Sequence, residues 1–264
     1  MQKSFLCILL IALVTGCQTP RYMYAPTRVN APLLTQKQEL QLNGSIAALK
    51  GFDASVAYAV SPGIGLMING SWRNHVQKKP GTRDELLNPF SIHYHRASVD
   101  LGIGWFKKLE SSSWYIEIFA GGGSGILSME DEGVLRRTDT TTITYSRSYK
   151  NRLARLFFQP ELGANPSEFF QIVFFVRFQF IKFDHIQTNY SYWEMQSYGI
   201  PESPSAFVRF AEPGFSIRFY PRSLPHLGFE SNFLLSRMYN SDIYNIPVHF
   251  SVGVHARFPG KKNK

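Results

Sequence analysis

The segment Val248–Phe258 has the sequence VHFSVGVHARF and alternates apolar with polar residues along its whole length. In a β-strand, successive side chains point to opposite faces, so this segment is predicted to be a strand with one apolar face and one polar face. Val252 and Val254 lie on the apolar face, whereas His249 and His255 lie on the polar face. A strand of this kind is typical of a membrane-spanning β-barrel.

The same alternation recurs from Glu39 onward in segments of about ten residues. Strands are predicted near residues 39–48, 52–60, 64–74, 92–106, 114–128, 152–164, 169–183, 205–220, 226–237 and 246–258. The longest apolar segment after residue 16 is interrupted by polar residues such as Arg177 and Lys182, which excludes helical membrane spans. The predicted fold is therefore an all-β, transmembrane, antiparallel up-and-down β-barrel of about ten strands, with eight strands as the alternative.

The predicted connections fall into a short set and a long set that alternate along the chain. The short ones are 61–63, 108–113, 165–168 and 221–225, and the others are the long segments 75–91, 129–151 and 184–204, the medium segment 238–245 and a tight turn at 50–51. Outer-membrane barrels have short periplasmic turns and longer extracellular loops. An even number of strands then places the N- and C-termini in the periplasm.

The N-terminal sixteen residues are typical of an export signal. Lys3 supplies a positive charge, and Phe5 to Val14 form an apolar stretch that is too short to span a bilayer. The signal ends at Leu-Val-Thr-Gly-Cys17, which resembles the lipobox of bacterial lipoproteins. That resemblance implies that Cys17 becomes the acylated first residue of the mature chain. Because the other cysteine, Cys7, lies inside the signal, the mature chain has no partner for a disulfide.

The resemblance to lipoproteins also implies a destination and a division of the chain. An Asp after the acylated cysteine favours the inner membrane, and here Gln18 follows, which indicates the outer membrane with the lipid in its periplasmic leaflet. The predicted parts are a signal over 1–16, a lipidated periplasmic tether over 17–38, a barrel over 39–258 and a short basic tail over 259–264.

The chain is basic, with a formal net charge of +9. No nucleic-acid motif accompanies this charge, and the cations lie in predicted loops, at strand ends and in the tail. Anionic lipid headgroups or lipopolysaccharide are therefore favoured as partners over nucleic acid. Solvated loop charge is the alternative explanation.

The end of the last strand resembles the β-signal that the barrel-assembly machinery reads. In that signal a polar residue, a glycine and two hydrophobic positions lie at a fixed spacing, and the matching residues here are Ser251, Gly253, Ala256 and Phe258. The chain departs from the signal by continuing with the tail over 259–264. Overall, it resembles small bacterial outer-membrane β-barrel lipoproteins of unassigned function, a resemblance that implies an architecture and no activity.

The polar faces of the predicted strands carry charges of both signs into the lumen. These residues are Asp53, Asp100, Glu117, Glu161, Glu230, Arg177, Arg218 and Arg257, with His249 and His255. Because an unpaired buried charge is costly, we expect these groups to pair and to plug the lumen. Side chains or one small ligand fill barrels of this size, which argues against a general diffusion pore.

Chemistry is only weakly indicated. His249 and Ser251 share a strand face, and their spacing resembles the His-x-Ser pair of outer-membrane lipid A deacylases, in which such residues serve as base and nucleophile. The alternation turns both toward the lumen, however, and no acid is assigned to orient the histidine, so a hydrogen-bonded interior histidine is the ordinary alternative. No metal cluster or nucleotide-binding motif is recognised, and no cofactor is expected.

The long loops contain the remaining candidates for binding. The residues concerned are Tyr190, Tyr192, Trp193 and Tyr198 in 184–204, and Arg136 and Arg137 in 129–151. Aromatic and arginine side chains are enriched at binding hot spots, although barrel loops are often aromatic without a ligand. The predicted function is a lipid-anchored outer-membrane barrel with a structural or surface ligand-binding role. The alternative is a lipid-modifying barrel enzyme that uses His249 and Ser251.

Overall fold

The computed structural model describes residues 21–48, 50–79, 90–110, 113–136, 142–202, 207–239 and 243–260. Its elements are β1 (Tyr22–Tyr24), β2 (Leu40–Ala47), β3 (Gly51–Ala59), β4 (Ile64–Lys79), β5 (Phe90–Lys108), β6 (Trp114–Arg136), β7 (Thr142–Ser167), β8 (Phe170–Thr188), α1 (Tyr192–Tyr198), β9 (Val208–Phe219), β10 (Leu227–Leu235), β11 (Arg237–Tyr239), β12 (Tyr244–Asn245) and β13 (Val248–Phe258). Among these residues, no helix is long and apolar enough to cross a membrane.

The strands form a closed antiparallel barrel. From β2 to β10, each strand pairs with the next along the chain, and β13 closes the ring by pairing with β10 on one side and β2 on the other. Beyond Ser236, β11 continues the line of β10 along β9. Within the described residues the barrel has ten strands, so the predicted ten strands are confirmed and the eight-strand alternative is wrong.

Inside and outside follow the alternation. On β13, Val254 is 44% exposed on the outer wall, whereas His255 is 2% exposed in the lumen. The other strands repeat this pattern, which surrounds a polar interior with an apolar belt. Such a belt is what acyl chains require of a membrane-spanning barrel.

The two ends of the barrel differ. The connections β3–β4, β5–β6, β7–β8 and β9–β10 are short and define what we name the turn end. The opposite end, which we name the loop end, carries α1 between β8 and β9. At the loop end β6 and β7 continue as one long hairpin, which stays paired as far as Arg136 and Thr142.

This hairpin corrects the predicted long loop over 129–151, most of which is paired strand. Beyond the apolar belt, both faces of a strand can be polar. Alternation of apolar and polar residues therefore stops, while the backbone hydrogen bonds continue. The same reason explains why β4 and β5 remain paired to Lys79 and Phe90.

The chain before the barrel lies inside it. Residues 21–35, which we name the lumen segment, are almost entirely buried, and β1 within the segment pairs in parallel with β12. The segment begins beside Asp131 of the β6–β7 hairpin, where Arg21 forms an ion pair of 2.7 Å. It ends at the turn end, where the Thr35 hydroxyl donates to Glu39 at 2.7 Å.

The predicted periplasmic tether covers residues 17–38. Of these, residues 21–35 instead lie inside the barrel and cross the lumen from end to end. The first described residue lies at the loop end, and the last strand ends at the turn end. The predicted position of the mature N-terminus at Cys17 lies outside the described residues. The polar wall explains why the segment lies in the lumen, because the inward donors and acceptors of the wall need partners that the strands alone do not supply.

Candidate functional site

Arginines of the barrel wall bind the backbone of the lumen segment. Their hydrogen bonds run from Arg96 to the Tyr22 carbonyl, from Arg177 to the Thr27 carbonyl at 2.9 Å, and from Arg218 to the carbonyls of Ala31 and of Pro32, the latter at 2.9 Å. Each guanidinium presents several donors in a fixed plane, which suits it to a carbonyl and a carboxylate at once. The wall thus holds an extended chain that has few strand partners of its own.

The wall also satisfies the amide groups near the turn end. Glu117 accepts hydrogen bonds from the backbone N–H groups of Leu33 and Leu34, at 2.8 and 2.5 Å. The Gln159 side chain donates to the Asn30 carbonyl at 2.8 Å. A buried backbone group without a partner is destabilising, so these contacts account for why the segment can lie away from water.

Buried ion pairs fill the space around the segment. They are Arg73 with Asp53, Arg155 with Asp100, Arg177 with Glu212, and Arg218 and Arg28 with Glu230. The predicted pairing is found for Asp53, Asp100, Glu230, Arg177, Arg218 and Arg257, the last of which pairs with Glu39. Glu117 and Glu161 instead accept hydrogen bonds from backbone amides and from Gln159. Arg73, Arg155 and Glu212 were missed although they occupy inward positions of their strands. Arg28 was missed because it belongs to the lumen segment, which has no strand pattern.

Little free volume remains beside these pairs. An enclosed cavity bordered by Arg28, Asp53 and Asp100 has a volume of about 10 Å³. A single water molecule needs roughly 10–15 Å³ measured in this way. This part of the lumen is therefore packed, with room for about one water molecule beside the ion pairs.

His249 and Ser251 both point into the packed lumen and are 3% and 1% exposed. Among the described residues, neither His249 Nε2 nor Ser251 Oγ has a hydrogen-bond partner. The nearest carboxylate, Asp53, lies 3.8 Å from His249 Nε2 and accepts two hydrogen bonds from Arg73 instead. The two residues share a face as predicted. His249 has no hydrogen bond to a carboxylate, and neither side chain is exposed on the lipid-facing surface of the barrel.

The other predicted site residues on β13 and at the N-terminus are placed as follows. Gly253 lies where β13 meets β2, and a Cβ there would come within 2.3 Å of the Gly44 carbonyl oxygen. Ala256 and Phe258 face outward on the same strand. Cys17 lies outside the described residues. No group of three or more candidate metal ligands occurs among the residues that the structure describes.

Helix α1 is fixed at the loop end. Ser191 caps its N-terminus in a capping box with Glu194, and Gly199 ends it in the left-handed conformation, with φ of 62°. Arg147 of β7 donates to the Glu194 carboxylate at 3.0 Å. Burial would raise the pKa of Glu194, but the hydrogen bonds from Ser191 and Arg147 outweigh it and hold that pKa below its usual value.

The predicted loop aromatics divide into two pairs. Tyr190 is buried and donates to Asp131 at 2.8 Å, while the Tyr198 ring lies 4.2 Å from the Arg21 guanidinium. Burial, reinforced by the Asp131 charge, raises the pKa of Tyr190. These two tyrosines anchor the start of the lumen segment and are not free for a ligand.

Tyr192 and Trp193 form the exposed pair. They are 53% and 74% exposed, and their ring centroids lie 5.6 Å apart in an edge-to-face arrangement. Of the predicted arginines, Arg136 is described only as the last residue of β6, and Arg137 lies outside the described residues.

A row of outward cations lies near the loop-side edge of the apolar belt. Arg152, Lys182 and Arg209 occupy outward positions of β7, β8 and β9. In the strand register Arg152 lies opposite the partly exposed Asp184, Lys182 opposite Ala154 and Arg209 opposite Phe180. Arg152 also borders a groove of about 740 Å³ on the outer wall, with Phe52 and Trp72 on its opposite side. None of these three residues is among the site residues predicted from the sequence.

Comparisons with known proteins give a likeness of fold alone. No protein-family model matches the chain, and no curated protein matches it. Solved structures resemble it as folds. The outer membrane protease OmpT from Escherichia coli has 9% identity and a TM-score of 0.48, covering 83% of this chain and 93% of its own.

Two further solved structures are similar to this chain. CarO2 from Acinetobacter baumannii has 8% identity and a TM-score of 0.37, covering 84% of this chain and 100% of its own. LpxR from Salmonella typhimurium has 7% identity and a TM-score of 0.31, covering 83% and 99%. The closed barrel with its apolar belt defines the class of this protein, a ten-stranded β-barrel of the outer-membrane type.

Proposed function

We propose that this protein is a lipid-anchored outer-membrane barrel with a closed lumen, and that it binds lipopolysaccharide through the outer wall and α1 at the loop end. The observation that carries this proposal is the filled lumen. Because the chain's own segment and its ion pairs occupy the interior, the outer wall and the loop end are the surfaces left for a ligand. The loop end faces the cell exterior in this proposal, as in barrels with short periplasmic turns.

The outward cations support an anionic lipid as the ligand. Arg152, Lys182 and Arg209 lie where lipid phosphates would meet the wall, and arginine and lysine both bind phosphate well. The groove beside Arg152 offers apolar walls for an acyl chain.

Tyr192 and Trp193 support a further contact above the membrane. They lie on α1, whose Glu194 accepts a hydrogen bond from Arg147 of β7. Arg147 precedes Arg152 by five residues on that strand. Large exposed rings on a rigid helix are suited to binding because little conformational entropy is lost when they contact a ligand. The sugars of lipopolysaccharide extend outward from the phosphates and would meet this pair.

The test is a binding measurement with two variants and two forms of the lipid. Arg152→Ala/Lys182→Ala should weaken binding of lipid A and of complete lipopolysaccharide, with a smaller salt dependence. Trp193→Ala should weaken binding of complete lipopolysaccharide alone. Tyr239→Ala is the matched control, because Tyr239 is an exposed loop-end aromatic outside α1. Unchanged affinity in both variants would refute this ligand.

The lipid-modifying enzyme is disfavoured by the burial of His249 and Ser251. We expect no acyl chain to be released when the pure protein is incubated with lipopolysaccharide and phospholipids. Release that Ser251→Ala abolishes would establish the enzyme instead.

The anchor is proposed from the lipobox resemblance at Cys17. Mass spectrometry of the mature protein should show an acylated N-terminal cysteine, and an unmodified N-terminus elsewhere would exclude it. Recognition of β13 by the barrel-assembly machinery is proposed in the same way. Membrane fractionation of a Phe258→Ala variant should show impaired assembly.

A further inference from the structure

The lumen segment has a definite direction. Its contacts proceed in order from Asp131 at the loop end, through Glu212 and Arg177, to Glu230, and then to Glu117 at the turn end. Arg257 and Glu39 close the series at the turn end, where both contact Thr35. The chain therefore enters the barrel at the loop end and leaves it at the turn end, where β2 begins.

The entry point lies beyond the apolar belt. Arg21 binds Asp131, and the outward positions on either side of Asp131 on β6 are the exposed residues Glu130 and Glu132. The last large apolar outward residue before them is Ile126. Five residues of a strand tilted by roughly 40° advance about 13 Å along the barrel axis, so Asp131, which Arg21 contacts, lies about that far beyond Ile126 on the loop side.

The distance to the lipobox cysteine is short. Cys17 precedes Arg21 by four residues, which span at most about 14 Å when fully extended. The apolar belt of an outer-membrane barrel is about 25 Å tall. A chain that starts at Arg21 on the loop side can therefore return to the near edge of the belt but cannot reach its far edge.

We propose that Cys17 lies on the loop side of the membrane, and that its acyl groups insert into the outer, surface-facing leaflet. The lumen segment carries the chain from that anchor through its own barrel to β2. This inference rests on the proposed anchor and orientation, and it replaces the periplasmic leaflet expected from the lipobox alone. The lipid that surrounds the anchor is then the same outer-leaflet lipid that faces the row formed by Arg152, Lys182 and Arg209.

Thiol labelling on intact cells tests the proposal. Three full-length variants keep Cys17 and add one cysteine each: Thr19→Cys near the anchor, Ser197→Cys in α1 and Ser223→Cys at the turn end. A membrane-impermeant maleimide is applied before and after permeabilisation. The acylated mature chain has no other thiol, and both described positions are exposed. Heat-modifiable gel mobility confirms that each variant is folded.

We expect Thr19→Cys and Ser197→Cys to be labelled on intact cells, and Ser223→Cys only after permeabilisation. Labelling of Thr19→Cys only after permeabilisation, alongside Ser223→Cys, would overturn the inference. Labelling of Ser223→Cys in place of Ser197→Cys on intact cells would instead overturn the orientation in the proposed function. If Thr19→Cys is labelled on intact cells but mass spectrometry finds the chain unacylated, the surface anchor is overturned. Lipopolysaccharide binding is measured in a separate assay, so its outcome does not depend on the three labelling variants.

Discussion

At the scale of single residues, Arg177 and Arg218 of the wall each bind a wall carboxylate and a carbonyl of the lumen segment. Arg177 binds Glu212 at 2.7 Å and the Thr27 carbonyl at 2.9 Å. Removing one partner of such a buried pair leaves the other charged and unpaired, which is why these residues cannot be replaced singly.

Arg177→Met should therefore lower the free energy of unfolding by roughly 3–5 kcal/mol, because Glu212 remains buried with an uncompensated charge. Urea unfolding in detergent, followed by tryptophan fluorescence, measures this change. Arg209→Met is the matched control on the outer wall and should stay within about 0.5 kcal/mol of the parent, as surface substitutions usually do. Equal effects of the two substitutions would contradict the packed lumen.

Two wall glycines make room for the lumen segment. A Cβ at Gly163 would lie 2.0 Å from Leu33 Cδ1, and a Cβ at Gly65 would lie 2.5 Å from Leu34 Cδ1. The wall has no space for a methyl group at these positions while the leucines keep their places.

Gly163→Ala should consequently destabilise the protein by about 1–3 kcal/mol through overpacking. Leu33→Ala in the same chain should recover part of the loss because it removes the clash. Gly70→Ala is the control, since its Cβ would meet nothing closer than 4.0 Å. The measurement is again urea unfolding, and a Gly163→Ala variant as stable as Gly70→Ala would show that Leu33 does not lie there.

At the scale of elements, the strands were predictable because lipid imposes a strict rule on them. Val252 and Val254 must face acyl chains while His249 and His255 face inward, and that alternation is visible in the residues alone. The ends of β6 and β7 were not predictable, because Asp131 and Tyr145 lie beyond the belt, where both faces are polar. Helix α1 begins with a capping box at Ser191 and Glu194. The sequence analysis assigned residues 184–204 to a long loop and therefore did not predict this helix.

The last strand provides a sharp test of inside and outside. Val254→Arg should destabilise the barrel by roughly 2–4 kcal/mol, because it places a charge among acyl chains. His93→Arg is the control, since His93 is exposed on the outer wall beyond the belt. Heat-modifiable mobility after graded urea treatment compares the two variants. Equal tolerance would contradict the outward assignment.

His255→Arg is not a neutral substitution on the opposite face. The His255 ring is held between the Tyr220 hydroxyl at 2.7 Å and the Gln41 side-chain oxygen at 3.1 Å, and the lumen around it is packed. An added charge in the lumen needs a partner of opposite charge, and the positions beside His255 are already occupied.

At the scale of the whole molecule, the protein is a barrel wrapped around its own N-terminal segment. No pattern in residues 21–35 could predict this, because every side of the segment meets the wall and no face alternates. Leu33 and Leu34 contact wall residues, and Arg28 reaches Glu230 across the interior. The charges on the polar faces of single strands were predictable from the sequence. The path of residues 21–35 between those charges was not, because it depends on the shape of the closed barrel.

Hydrogen–deuterium exchange of the intact protein in detergent tests this arrangement most directly. Amides that are buried and hydrogen-bonded exchange only when the structure opens, so we expect peptides covering residues 21–35 to be protected as strongly as those covering β13. Leu33 and Leu34, whose amides donate to Glu117, should be among the slowest. Exchange of residues 21–35 within seconds, while β13 stays protected, would contradict the central claim that the N-terminal segment fills the barrel.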